Sequence, residues 1–279
     1  GSQIQSKPDW LLSLDHGLFD IPFAALGPAK SPLMLSHSLR TIPGAALLST
    51  IGFVSQKGGF VGAGDAIYNS ADPRWKGKRN AETNQFARLI NTRREVNSVA
   101  QAWASDQPPT LLFGESFNRD ALDQAFRAEP AIVHIAAHVV QGQSDASNVM
   151  IGVGMGNNGK LDFLTPADIA AHPARLGLVS INGCASGGGA ALPGAGLIGL
   201  TRSWLLAGAT SVAATYWPVE DDRGELFAGM YRELTLLGAP ITPSKAARSL
   251  QKAQIAAFQS GGPRSAPNIW SAVFLAAKR

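Results

Sequence analysis

Two side chains in this sequence have the types and settings that nucleophilic chemistry requires, Cys184 and His138. Cys184 is the single cysteine among 279 residues, in Ser180-Ile181-Asn182-Gly183-Cys184-Ala185-Ser186-Gly187, with glycines on both sides. The run before it is apolar, so the thiol is expected at the carboxyl end of a buried strand, where ligand sites of open α/β sheets form. Backbone N–H groups and a nearby helix start lower a thiol's pKa there and can hold a developing oxyanion. A free cysteine is often a core filler, but a filler needs no glycine-rich turn. His138 closes a second apolar run, Ile132-Val133-His134-Ile135-Ala136-Ala137-His138. If the two runs are parallel neighbours, about 4.8 Å apart, the imidazole can reach the thiol as its general acid and base.

Other candidates are weaker in context. His134 falls mid-strand and reads as a hydrogen-bonded core histidine. A zinc reading of His134 and His138 fails on the strand-like run and on Ile135, where a metalloprotease helix would carry Glu. His16, His37 and His172 have no comparable setting. Glu220, Asp221 and Asp222 follow the apolar run ending at Trp217. Acids beside a helix N-terminus are commonly caps, yet one facing a cleft would attract a basic substrate side chain. Gly194-Ala195-Gly196-Leu197-Ile198-Gly199 matches the dinucleotide-binding glycine pattern. That fingerprint requires glycines directly after a strand, whereas a long loop containing Pro193 intervenes, so loop and helix packing is expected.

Positioning these groups requires a sheet. Thr110-Phe113, Ala131-Ala137, Leu176-Asn182 and Thr210-Trp217 are apolar on both faces, as strands of a covered parallel sheet are, and Phe60-Ala63 is an earlier strand. Amphipathic segments alternate with them, which is the α/β pattern. Phe86, Leu89, Ile90, Val96, Val99 and Trp103 approach a 3.6-residue period, predicting a helix over Thr83-Trp103. Further helices are expected over Ala121-Arg127, 166–171 with Thr165 as N-cap, Leu197-Leu206 with Gly208 as C-cap, Arg223-Leu237 and Thr242-Phe258. Val149-Gly154 and Lys160-Phe163 flank Gly156-Asn157-Asn158-Gly159, a hairpin signal. The polar stretch 141–148 before it reads as a mobile rim or activation loop. Residues 1–80, richer in Pro and turn residues, are expected to form an accessory part, with 81–279 as the catalytic α/β part.

Composition narrows the class. A net charge of +4 with 45% hydrophobic residues is too apolar for disorder. One cysteine excludes an internal disulfide and a cysteine zinc cluster. The basic groups Arg74-Lys76-Lys78-Arg79 and Arg93-Arg94 read as a solvated face rather than a nucleic-acid footprint. No apolar stretch reaches the roughly 20 residues of a membrane span. Asp15, His16 and Asp20 interrupt the greasy N-terminal segment, so no signal peptide is expected. Gly1-Ser2 reads as an expression scar. The expectation is a cytoplasmic protein with no metal or cofactor and no nucleic-acid or membrane partner.

With these residues in view, the chain resembles the CHAT domains, caspase-like and separase-like cysteine peptidases. The likeness runs from Ile21-Pro22-Phe23-Ala24-Ala25-Leu26 through Ile132–His138, Leu161–Ile169 and Ser180–Gly187 to Ala207-Gly208-Ala209 and Trp217–Asp222, and closes with Ile269-Trp270-Ser271-Ala272-Val273-Phe274. The histidine lies about 50 residues upstream of the cysteine, the caspase order, and Gly183-Cys184-Ala185-Ser186-Gly187 looks more like the separase form. The family usually has Gly directly after the histidine, where this chain has Val139, which bears on pocket shape.

The resemblance implies an α/β fold with a caspase-like, central, mostly parallel sheet flanked by helices on both faces. It implies an endopeptidase with a Cys184/His138 dyad acting on a protein substrate. The oxyanion would be held by the N–H groups of Cys184 and Val139, with Gly183 shaping the site. Asp221 would lead a pocket for a basic P1 residue, with Asp222 and Glu220 beside it. Some members are regulated by protein partners or fused to repeat domains, so an activating or repeat-domain partner is an expectation too. The competing readings are a silent regulatory or scaffold module of the same fold that binds a protein partner, and a nucleotide-binding oxidoreductase using the 194–199 glycines.

Overall fold

Among the described residues, the apolar runs become neighbouring strands of a ten-stranded sheet. This computed structural model describes residues 5–14, 16–43, 58–77, 86–141, 149–156, 158–184, 195–217, 224–238 and 240–278. Their order is β1 (Asp9–Ser13), β2 (Ser38–Ile42), β3 (Phe60–Ala66), α1 (Asn91–Ala102), β4 (Thr110–Gly114), α2 (Arg119–Arg127) and β5 (Ile132–Gln141). Then come β6 (Val149–Met155), β7 (Leu161–Leu164), α3 (Pro166–Ala171), β8 (Leu178–Cys184) and α4 (Ala195–Ala207). The chain closes through β9 (Ser211–Thr215), α5 (Gly224–Leu237), α6 (Pro243–Gln259), α7 (Pro267–Trp270) and β10 (Val273–Ala277).

Across the sheet the strands run β1-β2-β10-β9-β8-β5-β3-β4. Every neighbouring pair on this path is parallel except β9 with β10. β5 outruns the main sheet, and its last residues pair antiparallel with β6, which continues into β7. The chain passes from β3 outward to β4 and then returns to the other side of β3 as β5. The strand order therefore reverses between β3 and β5, the place where α/β sheets open a crevice at their carboxyl edge.

Alternation along the strands creates two cores. Val133, Ile135, Val179 and Ile181 pack with Phe126 of α2 and Trp204 of α4. Ile132 and Leu178 point to the opposite layer, against Val99 of α1 and Phe227 and Tyr231 of α5. Both faces of the central strands are covered, which is why they read as continuous apolar runs.

Local signals mostly set the element ends. Thr165 and Asp168 form the capping box of α3. Arg119 binds the same Asp168. Burial would raise the Asp168 carboxyl, but hydrogen bonds from Arg119 and Thr165 hold it at about 2. Gly208 ends α4 at φ +124°, and Ala209 N–H donates back to Trp204 O at 2.9 Å. The expected helix over Thr83-Trp103 is corrected: residues 86–90 are not helical and α1 starts at Asn91. Phe86 and Leu89 still pack on the core, whereas Ile90 is exposed. The backbone carbonyls of Phe86 and Ala87 accept side-chain hydrogen bonds from Asn69 and His138, and these tertiary bonds override the helical period. β1, β2 and β10 are strands that the sequence reading left unassigned.

Candidate active site

Parallel pairing of β5 with β8 runs from Ile132↔Leu178 without a break to His138↔Cys184. The two candidate residues are thus direct cross-strand neighbours at the carboxyl edge. Val139 and Gly183, one residue to either side of that pairing, are in close contact. A Cβ built on Gly183 would stand 2.2 Å from Val139 Cγ2. Glycine at 183 is what allows valine after the histidine, and Val139 is rigid at χ1 because it is β-branched. Gly183→Ala is accordingly expected to cost about 1–3 kcal/mol in denaturant titration, the range for overpacking. Because Val139 Cβ would also stand only 2.9 Å away, the rescuing change is Val139→Gly, which should recover part of the loss, a coupling of about 0.5–3 kcal/mol between touching residues. Additive losses would refute this packing.

His138 is 1% exposed. Its Nε2 donates to Ala87 O at 2.8 Å. A carbonyl only accepts, so Nε2 carries the proton and the lone pair of the neutral ring is on Nδ1. Tyr68 meets the ring edge-on at 4.7 Å between centroids, and Phe86 tilts over it at 5.3 Å. The imidazole is thereby fixed in orientation and tautomer by a carbonyl and two aromatic rings.

Four residues before it, on the same strand face, His134 is fully buried. Its Nε2 donates to Glu95 Oε1 at 2.8 Å, and Nδ1 pairs with the Tyr231 hydroxyl at 2.9 Å. The core-histidine reading of His134 therefore holds. Glu95 Oε1 also accepts from Asn182 Nδ2 at 2.7 Å. One carboxylate from α1 thus ties β5 to β8 two residues before Cys184, a role that sequence reading missed. Its signal was a lone acid inside the apolar stripe of the helix containing Val96 and Val99.

The basic groups are also corrected. Asp65, buried at the end of β3, binds Arg88 at 2.7 Å, Arg93 at 2.9 Å and Arg74 at 3.0 Å. Arg74 and Arg93 are thus ion-pair partners rather than a simply solvated face. Burial would raise the Asp65 carboxyl, but hydrogen bonds from Arg88 and Arg93 and the charge of Arg74 hold it below the usual carboxylate range. An acid closing an otherwise apolar strand was the legible sign.

The expected acidic pocket of Glu220, Asp221 and Asp222, and the 142–148 part of the polar stretch, lie outside the described residues. The glycine pattern divides: Gly194 is outside them, and Ala195–Gly199 opens α4. Ten residues separate β8 from α4, so these glycines do not follow the strand directly, as the dinucleotide fingerprint requires.

Comparison with solved structures places this architecture. Saccharomyces cerevisiae separase, in its complex with securin, matches at TM-score 0.54 and 13% identity, over 93% of this chain and 15% of the separase chain. A second structure of that complex gives TM-score 0.53 and 12% identity, over 93% and 14%. The Arg-specific cysteine proteinase gingipain R gives TM-score 0.43 and 9% identity, over 81% and 49%. The chain therefore spans 15% of the length of the separase chain it matches, and the shared feature is the caspase-like fold. A search of curated protein sequences found no match. The profile of the CHAT domain matches residues 3–278. With the caspase-like sheet and a match over nearly its whole length, the chain belongs to the CHAT domain family.

Proposed function

We propose that the protein is a cysteine endopeptidase that hydrolyses peptide bonds of a protein substrate through Cys184 and His138. The observation that carries this reading is the cross-strand pairing of His138 with Cys184 at the carboxyl edge of two parallel strands. The Nε2 bond to Ala87 supports it, because it leaves Nδ1 as the basic nitrogen of the pair. Cys184 attacks the scissile carbonyl as thiolate, forming the carbon–sulfur bond of a tetrahedral intermediate. The N–H groups of Cys184 and Val139 hold its oxyanion, with Gly183 shaping the site. The imidazolium then gives its Nδ1 proton to the leaving amine as the peptide C–N bond breaks. Nδ1 next takes a proton from water, which displaces the thiolate from the acyl-enzyme.

Asp221, with Asp222 and Glu220, supplies a pocket for a basic P1 side chain. The reaction needs no metal or organic cofactor, and an activating or repeat-domain protein partner switches it on in a cytoplasmic setting. Among the described residues no helix is long and apolar enough to cross a membrane.

Intact-mass spectrometry after a peptidyl acyloxymethyl ketone with P1 Arg tests the assignment. One adduct, localised to Cys184 and absent from Cys184→Ala, is the expected result. A thiol that ignores the reagent and alkylates in iodoacetamide at the same rate with and without His138 would leave a partner-binding module instead. A peptide library cleaved after small or acidic residues would remove the basic-pocket assignment alone.

A further inference from the structure

Residues 86–89 carry the carbonyl that fixes His138, yet they belong to neither helix nor strand. Their geometry is set by bonds to side chains. Phe86 O accepts from Asn69 Nδ2 at 2.8 Å, and Leu89 O accepts from Thr92 Oγ1 at 2.7 Å. Between them, Arg88 reaches back to Asp65 with a two-pronged contact, Nε to Oδ1 at 2.7 Å and Nη2 to Oδ2 at 3.0 Å.

Asp65 is itself firmly seated. Its side chain is fully buried, and its φ of +48° falls where the β3–β4 register shifts. Its own N–H donates to Thr92 Oγ1 at 2.8 Å, so it and Leu89 are tied to the same hydroxyl. A residue other than glycine with positive φ is uncommon and persists where its surroundings hold it.

We propose that the Asp65–Arg88 ion pair is a positioning device for His138. The Ala87 carbonyl and the Arg88 Cα belong to one planar peptide unit. Fixing Arg88 on Asp65 therefore fixes the direction of the Ala87 carbonyl, and with it the Nε2–H tautomer and the aim of Nδ1. The inference rests on the dyad reading for its catalytic meaning. Arg88 touches no reacting atom and acts only through the 86–89 backbone. The guanidinium fork matters as well as the charge, since a two-pronged contact constrains orientation where an ammonium supplies a point charge.

The test reads the imidazole directly. In 15N-histidine-labelled protein, wild-type His138, assigned by its loss in His138→Gln, is expected as the Nε2–H tautomer. Arg88→Ala should convert it to a tautomer mixture while the His134 signals, which report the fold, stay in place. With a cleavable peptide, kcat should fall about tenfold and KM should change less than twofold. Arg88→Lys should fall between the two, and it serves as the readout if Arg88→Ala does not fold. Arg248→Ala, which removes a comparable contact to Asp9 at the β1 edge, should change neither quantity. An unaltered Nε2–H tautomer in Arg88→Ala, or in Arg88→Lys where that is the readout, overturns the proposal. A tautomer shift in a protein whose Cys184 is inert upholds the positioning role and sinks the peptidase reading alone.

Discussion

His138→Ala is expected to lower kcat/KM for peptide cleavage by about 10²- to 10⁴-fold, the range contributed by a positioned general acid–base. Two effects combine in that loss. The Cys184 thiol loses the base that generates its thiolate, and the leaving amine loses its proton donor. Because His138 is buried and held by Ala87, Tyr68 and Phe86, a solvent base cannot readily take its place. Initial rates on a fluorogenic peptide with a basic P1 residue, compared with Cys184→Ala under identical conditions, give the kinetic measure. Iodoacetamide alkylation of Cys184 at pH 6 gives an independent one, expected to be slower in His138→Ala than in wild type. Equal alkylation rates would mean that the cross-strand pair does not act as a dyad.

The largest expected loss of stability is at Glu95. Glu95→Ala deprives two buried donors, His134 Nε2 and Asn182 Nδ2, of their shared acceptor. Each orphaned buried donor costs about 1–3 kcal/mol, so a total of about 2–6 kcal/mol is expected in urea unfolding. Glu95 also lines a cleft of about 570 Å³ between α1 and α5. Water entering from that cleft would bring the loss toward the lower end. Glu95→Gln keeps one acceptor oxygen and should cost about 1 kcal/mol, a single ordinary hydrogen bond. If Glu95→Ala unfolded at the wild-type urea midpoint, the carboxylate would not be the tie between β5 and β8.

Much of the central sheet was legible because its strands are buried on both faces. The runs ending at His138 and Cys184 needed no partner to be recognised. The edge strand β1 and its neighbour β2 were not legible, since Asp9–Ser13 and Ser38–Ile42 mix polar and apolar residues and are defined by pairing, β1 with β2 and β2 with β10. The N-terminal boundary of α1 was misread for a related reason. Phe86 and Leu89 keep a helical spacing from Val96 and Val99, but the carbonyls of Phe86, Ala87 and Leu89 accept from Asn69, His138 and Thr92 side chains instead of a helical ladder.

The sequence by itself determined which residues could do chemistry, because a lone cysteine among glycines and a histidine closing an apolar strand are local patterns. It also placed both at the ends of apolar runs, although β5 continues past His138 to Gln141 while β8 stops at Cys184. Only the tertiary structure decided that those ends are cross-strand neighbours in register, since pairing joins residues 46 positions apart through a choice of strand order. It alone decided the companions of the site as well. Gly183 accommodates Val139, Ala87 sets the His138 tautomer, and Asp65 gathers Arg74, Arg88 and Arg93. Each of these depends on where a side chain or carbonyl points after the chain has folded, and that information is non-local in the sequence.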